Sequence, residues 1–269
     1  MSDRAMTTDL AARALDVNEA QFLLGNESFI DACARFVRNI AYPDIRDANH
    51  VSHVTASTPD EVDALLARAD ETFAHAPHRA YHTDFRTPPA FEARLALDGY
   101  QSRATLVLML EGALEGTPRQ FDIRPVASED DWAAFERLHA LDWAEARERL
   151  GQTPAPDVGL RMARSRRLKC PPAQYYLAYE SGEARGYFST LPGVDGMAQV
   201  EDLFVDPAWR HRGIATALIH HCVDACRRAG SGPIVITADV DDTPKDMYAA
   251  LGFRPVAVKR DWWRATDPT

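Results

Sequence analysis

The stretch VEDLFVDPAWRHRGIATALIHHC, residues 200–222, restricts the fold of this chain more than any other. From Gly213 to Arg228, Leu218, Cys222, Ala215, Cys226, Ile219 and Val223 fall on one side at helical spacing. Thr216, His220, Asp224 and Arg227 fall on the other. A helix striped in this way packs on a sheet, and the apolar run before it supplies a strand. Between the two stands Arg210-His211-Arg212-Gly213. The first turn of a helix presents backbone N–H groups without internal partners, backed by the positive end of the dipole. Gly213 and Ala215 are small enough to let an anion reach that backbone, and the arginines add charge and forked donors. In a chain of net charge -10, this local concentration of positive charge predicts a bound phosphate-class anion. The Gly-Lys-Ser/Thr of a nucleotide P-loop and the three glycines of a dinucleotide fingerprint are both missing.

The remaining sequence alternates strand and helix patterns. Asp9 to about Asn39 is helix-compatible, and HVSHV is a short strand candidate. STPDEVDALLARADETFA is a capped helix with Pro59 in its first turn, HRAYHTDF a strand, TPPAFEARLALDG a helix with a glycine stop, and ATLVLMLEG an apolar strand. The turn-rich EGALEGTPRQ then suggests a boundary, giving domains 1–118 and 119–269. FDIRPV opens the second domain as a strand, and Ser128 caps a helix with three acids in its first turn. A helix from Asp157 to Leu168 and a hairpin turning at Ser181-Gly182 follow. After the opening stretch come PIVITADV, the helix TPKDMYAALG and the strand PVAVKRDWW. Residues 87–110 and 243–262 share a Thr-Pro start, a short helix, Gly-aromatic and a strand, which suggests duplication.

With 46% hydrophobic and 26% charged residues, the chain has the material for a sizeable core. Forty acidic against 30 basic residues argue against nucleic acid as a partner. No apolar run is long enough for a signal peptide or a membrane span. Four scattered cysteines make no disulfide framework, so a reducing, cytoplasmic setting is expected.

Arg210-His-Arg-Gly213-Ile-Ala215 resembles the Arg/Gln-x-x-Gly-x-Gly/Ala signature of the GNAT family, the GCN5-related N-acetyltransferases. VEDLFVDP before it is similar to the fourth strand of that family, and MYAALGF after it to the Tyr-x-x-x-Gly-Phe helix. The resemblance covers residues 121 to 265. It implies an α/β GNAT acyl-CoA N-acyltransferase fold with a mixed sheet, in which this loop cradles the pyrophosphate of acetyl-CoA and splayed fourth and fifth strands admit its pantetheine arm. Coenzyme contacts then fall to Leu203, Phe204 and Val205, to Arg210, His211, Arg212, Gly213, Ile214, Ala215 and Thr216, and to Asp242 and Lys245. Asp242 stands where the family often has asparagine, and Lys245 where it has a small residue.

Acetyl transfer to an amine needs a proton acceptor, donors to polarise the carbonyl, and a proton for the departing thiolate. The strand N–H groups at Leu203 to Val205 suit the second task. Tyr248, four residues before Gly252, takes the third by resemblance. Glu201 and Asp202 are the candidate acceptors; strand alternation sends them to opposite faces, and similarity to the Glu-Asp strand of spermidine/spermine acetyltransferases selects Glu201. The expected activity is acetyl transfer from acetyl-CoA to a primary amine of a small molecule by direct attack. A protein N-terminal or lysine acetyltransferase and a non-catalytic acyl-CoA-binding module are the alternatives, and a homodimer is compatible with each.

The N-terminal half has the same rhythm without the chemistry. Its helix start, TASTPDEVDAL, crowds acids where an anion would sit, and no tyrosine stands four residues before Gly99. It is expected to be a degenerate GNAT-like half that covers the sheet edge of the other half and walls the acceptor cleft, with an unrelated helical cap as the alternative. His220, His221, Cys222 and Cys226 have the composition of a metal site, but the cysteines share the apolar stripe and the histidines do not, so no metal is expected. Trp132, Trp143, Tyr175, Tyr176 and Tyr187 lie on elements that face the acceptor groove in the family, although any one of them is more often core than contact.

Overall fold

The computed structural model describes residues 3–149, 151–153 and 156–266. Its first helix, α1 (Asp3–Leu23), stops well before the expected Asn39. Beyond Gly25, Glu27–Asp31 and Ala34–Arg38 pair instead as antiparallel strands β1 and β2. Ala32 and Cys33 turn the hairpin in left-handed backbone, φ 46° and 63°, which matches strand twist. Phe36 is fully buried and stacks on Phe29 across the pair at 5.3 Å. This cross-strand packing overrides the weak helix preference of the segment.

The elements β3 (His50–Ser52), α2 (Pro59–Thr72), β4 (His78–Thr83), α3 (Pro89–Leu97) and β5 (Gln101–Leu110) follow in the expected order. A complete capping box starts α2: the Thr58 side chain accepts from Glu61 N, and the Glu61 carboxylate accepts from Thr58 N. Next come β6 (Asp122–Pro125), α4 (Glu129–Arg149), α5 (Pro156–Arg167), β7 (Gln174–Glu180) and β8 (Glu183–Pro192). The chain continues through β9 (Ala198–Val205), α6 (Ile214–Arg228), β10 (Ile234–Asp239), α7 (Pro244–Ala250) and β11 (Arg254–Ala265). Ser128 caps α4 by accepting from Asp131 N at 3.1 Å, and the β7–β8 turn is left-handed at Ser181 and Gly182.

The chain divides into two compact units. The first holds the residues up to Leu108, Thr237–Asp246 and the chain from Pro255 onward; the second holds Met109–Ile236 and Met247–Arg254. This differs from a single cut at 118/119. The C-terminal strand belongs to the first unit because Arg260–Ala265 of β11 pair antiparallel with Thr83–His78 of β4. Trp262 joins Tyr81, Phe91 and Tyr100 in that unit's core, and its indole N–H donates to Thr83 Oγ1 at 3.0 Å. Strands in the first unit run β1-β2-β3-β4-β11-β5.

In the second unit the order is β10-β9-β8-β7-β6. Tyr175, Leu177, Tyr187 and Phe204 meet Trp132, Phe135 and Leu138 of α4 on one face of the sheet. On the other face, Leu218 of α6 lies over Gly186, and His221 meets the edge of Tyr176. Two irregularities shape β9. Opposite β8 its register passes from Tyr187↔Phe204 to Ser189↔Glu201, so β9 carries one extra residue. Asp202 lies in that bulge at φ 61°. Against β10 the parallel register covers Ile234↔Ala198 and Val235↔Gln199, at the start of β9.

Candidate active site

The handover from β9 to α6 begins with Asp206, whose carboxylate accepts from Ala208 N and starts a 3-10 turn over Pro207–Trp209. His211 (φ 60°) and Gly213 (φ 91°) are both left-handed, so the loop folds back tightly before the helix. Gly213 takes the N-cap position of α6, where it offers no side chain to cap the helix. Ala217 N makes the first bond of the ladder, to Gly213 O at 3.0 Å. The amides of Ile214, Ala215 and Thr216 precede the ladder and point out of the helix start. This cradle fits a diphosphate: its donors are backbone N–H groups, it carries the helix dipole, and no Cβ obstructs it at Gly213.

The flanking arginines divide the work differently from the sequence expectation. Arg210 turns inward: its Nε donates to Val205 O at 3.1 Å, and its two terminal nitrogens grip the Glu145 carboxylate at 2.8 and 2.5 Å. It ties the loop to β9 and to α4. Exposed Arg212 lies over the Trp209 ring at 4.4 Å, and Arg185 lies at the same distance from that ring. Arg119, which sequence reasoning missed, donates to Arg212 O at 2.9 Å, and its stem would lie 3.4 Å from a Cβ at Gly213. Its place at the end of the turn-rich connection gave no motif to find it by.

The two acids of β9 also separate in role. Half-buried Glu201 accepts from the Gln199 side chain at 2.6 Å. Asp202 is turned by the bulge toward α5, where it accepts from Tyr175 OH at 2.8 Å and pairs with Arg166 Nε at 3.2 Å. Burial alone would raise the Asp202 carboxyl. The charges of Arg166 and Lys169 and the Tyr175 hydrogen bond outweigh it and hold the group below its ordinary 3.8. An anion stabilised in this way is a poor proton acceptor.

Asp142 on α4 has the opposite character. Burial pushes its carboxyl from 3.8 to about 6, the charges of Asp202 and Glu145 add to the rise, and a 2.9 Å hydrogen bond from Tyr187 OH opposes it. Tyr187 pairs in register with Phe204, so Asp142 stands beside the stretch of β9 expected to hold the thioester. The sequence did contain a signal. Phe135, His139 and Asp142 fall on one helical stripe, which sets a carboxylate among buried residues. His139 is nearly enclosed, and burial lowers its imidazole to about 4, so it stands neutral beside Asp202.

Tyr248 is buried on α7, with its ring 6.1 Å from Phe253. The helix ends in a Schellman turn: Phe253 N bonds Tyr248 O, Gly252 N bonds Ala249 O, and Gly252 has φ 102°. This fixes the tyrosine relative to Phe253. Asp242 accepts from Thr243 N at 2.8 Å, and Lys245 donates to Val240 O and Asp242 O at 2.5 and 2.9 Å. Both residues therefore brace the loop before α7. Of the aromatic candidates, Trp132, Tyr175 and Tyr187 are core, Tyr176 packs on His221, and Trp143 lies under Arg147 at 4.3 Å.

Comparison with known proteins bears on the family and the fold. Residues 132–253 match the Acetyltransferase (GNAT) family. An uncharacterized N-acetyltransferase of Methanocaldococcus jannaschii is 32% identical over 69 residues, which are 25% of this chain and 30% of that protein. The chain thus aligns with less than a third of that curated relative. Among solved structures, a functionally unknown conserved protein from Staphylococcus epidermidis superposes with TM-score 0.70 at 14% identity, covering 90% of this chain and 95% of that one. A GCN5-related N-acetyltransferase from Kribbella flavida gives 0.68 at 15%, covering 97% and 96%. A tandem GNAT protein from the clavulanic acid biosynthesis pathway gives 0.60 at 16%, covering 88% and 79%. At these identities the structural likeness concerns the fold alone: mixed α/β, and shared with a tandem GNAT protein across most of the chain. The segment from residue 132 to residue 253 is a domain of the acetyltransferase (GNAT) family.

Proposed function

We propose that the chain is a cytoplasmic N-acetyltransferase that takes the acetyl group of acetyl-CoA to a primary amine of a small molecule. The observation that carries this reading is the start of α6, where three amides precede the helical ladder, Gly213 offers no cap and two left-handed residues shape the approach. The amides of Ile214 to Thr216 hold the coenzyme's pyrophosphate, with Arg212 and Arg119 as the cations beside it. The pantetheine arm follows the edge of β9 past the end of its β10 register, which brings the thioester carbonyl to the strand N–H groups of Leu203 to Val205.

The amine nitrogen attacks the carbonyl carbon, the N–C bond forms and the C–S bond breaks. The proton lost from the amine passes through water to Asp142, whose carboxyl near 6 is ionised at neutral pH and basic enough to take it. Glu201 is the second acceptor in reach of β9. The thiolate receives its proton from Tyr248 OH. No covalent enzyme intermediate is required, because holding amine and thioester together supplies the acceleration. The acids of α4 and β9 favour a cationic acceptor.

Thiol release from acetyl-CoA is measured across a panel of polyamines, aminoglycosides, amino acids and peptides. Wild type should turn over a small amine and Tyr248→Phe should lose most of that rate. Coenzyme binding without turnover on the whole panel would instead identify a non-catalytic acyl-CoA-binding module, and turnover confined to peptides would identify a protein acetyltransferase.

A further inference from the structure

The first unit contains a buried group of side chains that acetyl transfer does not use. Glu19 on α1, His50 at the start of β3 and His82 in β4 converge there, exposed to 7%, 0% and 9%. One carboxylate oxygen of Glu19 lies 3.1 Å from His50 Nε2, and the other lies 3.3 Å from His82 Nδ1. The two imidazoles stack with centroids 3.9 Å apart. One ligand atom from each residue can be chosen so that all lie within 4.8 Å of one another. The cysteines and histidines of α6 form no such group among the described residues.

We propose that Glu19, His50 and His82 bind one transition-metal dication of the zinc class. A tetrahedral ion with bonds of about 2.0–2.1 Å separates its ligand atoms by roughly 3.3 Å, close to the spacing between Glu19 and each imidazole. Two imidazoles and a carboxylate are a donor set suited to zinc. Behind His82, Asp261 Oδ1 is buried without a hydrogen-bond partner and lies 3.6 Å from Nε2. A carboxylate on that side of the ring favours the proton on Nε2 and so, once a metal is bound, the Nδ1 lone pair on the side of Glu19, as outer carboxylates do for metal-bound imidazoles. Lys259 lies 3.4 Å from the same Asp261 oxygen and rests on the Phe22 ring, so its charge is turned to Asp261. A cavity of 20 Å³ opens beside the group, lined by Glu19, Ser52, His82, Thr83 and Asp84 among others. It has room for one water as fourth ligand. Bound metal would join α1, β3 and β4, which are distant in sequence.

The full chain, stripped with chelator, is titrated with zinc by calorimetry, and bound metal is counted by mass spectrometry. One zinc per chain should bind, raise the thermal midpoint and be lost in Glu19→Gln and in the double variant His50→Gln, His82→Gln. Asp261→Asn should keep the site but weaken it by about 10–100-fold. X-ray absorption of the wild-type zinc form, which needs no variant to fold, should show two imidazoles and further oxygen or nitrogen ligands at about 2.0–2.1 Å. Failure to bind at micromolar free zinc, a shell containing sulfur, or undiminished binding in the double variant would each overturn the proposal.

Discussion

Replacing Asp142 by asparagine should make the protein more stable and less active at once. In the folded chain its carboxyl is raised from 3.8 to about 6, which at neutral pH amounts to about 3 kcal/mol against folding. The sign follows from the direction of the shift. As pH rises from about 4 to about 6, the unfolded chain releases this proton before the folded chain does, so stability falls across that window and levels off above it. Asparagine keeps an oxygen for Tyr187 OH and never ionises. Allowing about 1 kcal/mol for amide hydrogens left without good acceptors, the variant should gain about 2 kcal/mol at about pH 7.5. At about pH 4 the folded carboxyl is protonated, its cost to folding falls to about 0.5 kcal/mol, and the gap should close. Urea unfolding of both proteins at the two pH values reads the gap directly, and initial rates with the preferred amine should fall by roughly 100-fold or more. A variant no more stable than wild type at the higher pH, or a gap that persists at the lower one, refutes the electrostatic argument. Full turnover in a well-folded variant refutes the proton-acceptor role by itself.

Gly213→Val places a branched side chain at φ 91°, with its Cβ 3.4 Å from Arg119, and should weaken coenzyme binding at least about tenfold by calorimetry while the second unit stays folded. Asp202→Asn removes the Asp202 charge from beside Arg166, 8% exposed, and should cost about 3 kcal/mol in urea unfolding. Because the Asp202 carboxyl is held below 3.8, the stabilisation it contributes is present above that pH and is lost as pH falls through the lower folded value. Acid unfolding of wild type should therefore be steeper below about pH 4 than that of the variant.

Local chemistry made most of the fold legible. Ser57 or Thr58 before Pro59, with acids close behind, announced a capped helix, Ser181-Gly182 a hairpin, and the stripe from Ala215 to Cys226 a helix on a sheet. The hairpin from Glu27 to Arg38 was hidden because its turn is Ala-Cys, two residues that seldom take left-handed backbone. The membership of β11 was hidden for a different reason: strand pairing is long-range, and nothing near Trp262 names Tyr81 as its neighbour. Within the site, the sequence located the loop but not the direction of its side chains. Arg210 and Arg212 look equivalent in the motif, yet Glu145, a full helix away, draws Arg210 inward. Alternation assigned Glu201 and Asp202 to opposite faces, but the bulge, a property of β9 against β8, decides where Asp202 points.

The two halves contain the same helix ending, and they differ in how a helix begins. At Gly99 as at Gly252, a left-handed glycine closes a Schellman turn, with Tyr100 N bonding Leu95 O just as Phe253 N bonds Tyr248 O. The residue in Tyr248's place is therefore Leu95, fully buried and without a hydroxyl. At the helix starts, Thr58 Oγ1 takes the Glu61 amide of α2 and the Glu61 carboxylate takes the amides of Ser57 and Thr58 before it, whereas Gly213 gives α6 no side-chain cap. An anion at α2 would have to displace a carboxylate already bonded to Ser57 N and Thr58 N, against the charge of Asp60 beside it. An anion at α6 has no capping side chain to displace. The difference between the helix start proposed to bind coenzyme and the acid-capped one thus resides in a cap and its acid, side chains that leave the backbone path of strand, loop and helix intact. A capping box of this kind closes a helix start to phosphate without weakening the helix, since it stabilises it by about 1 kcal/mol.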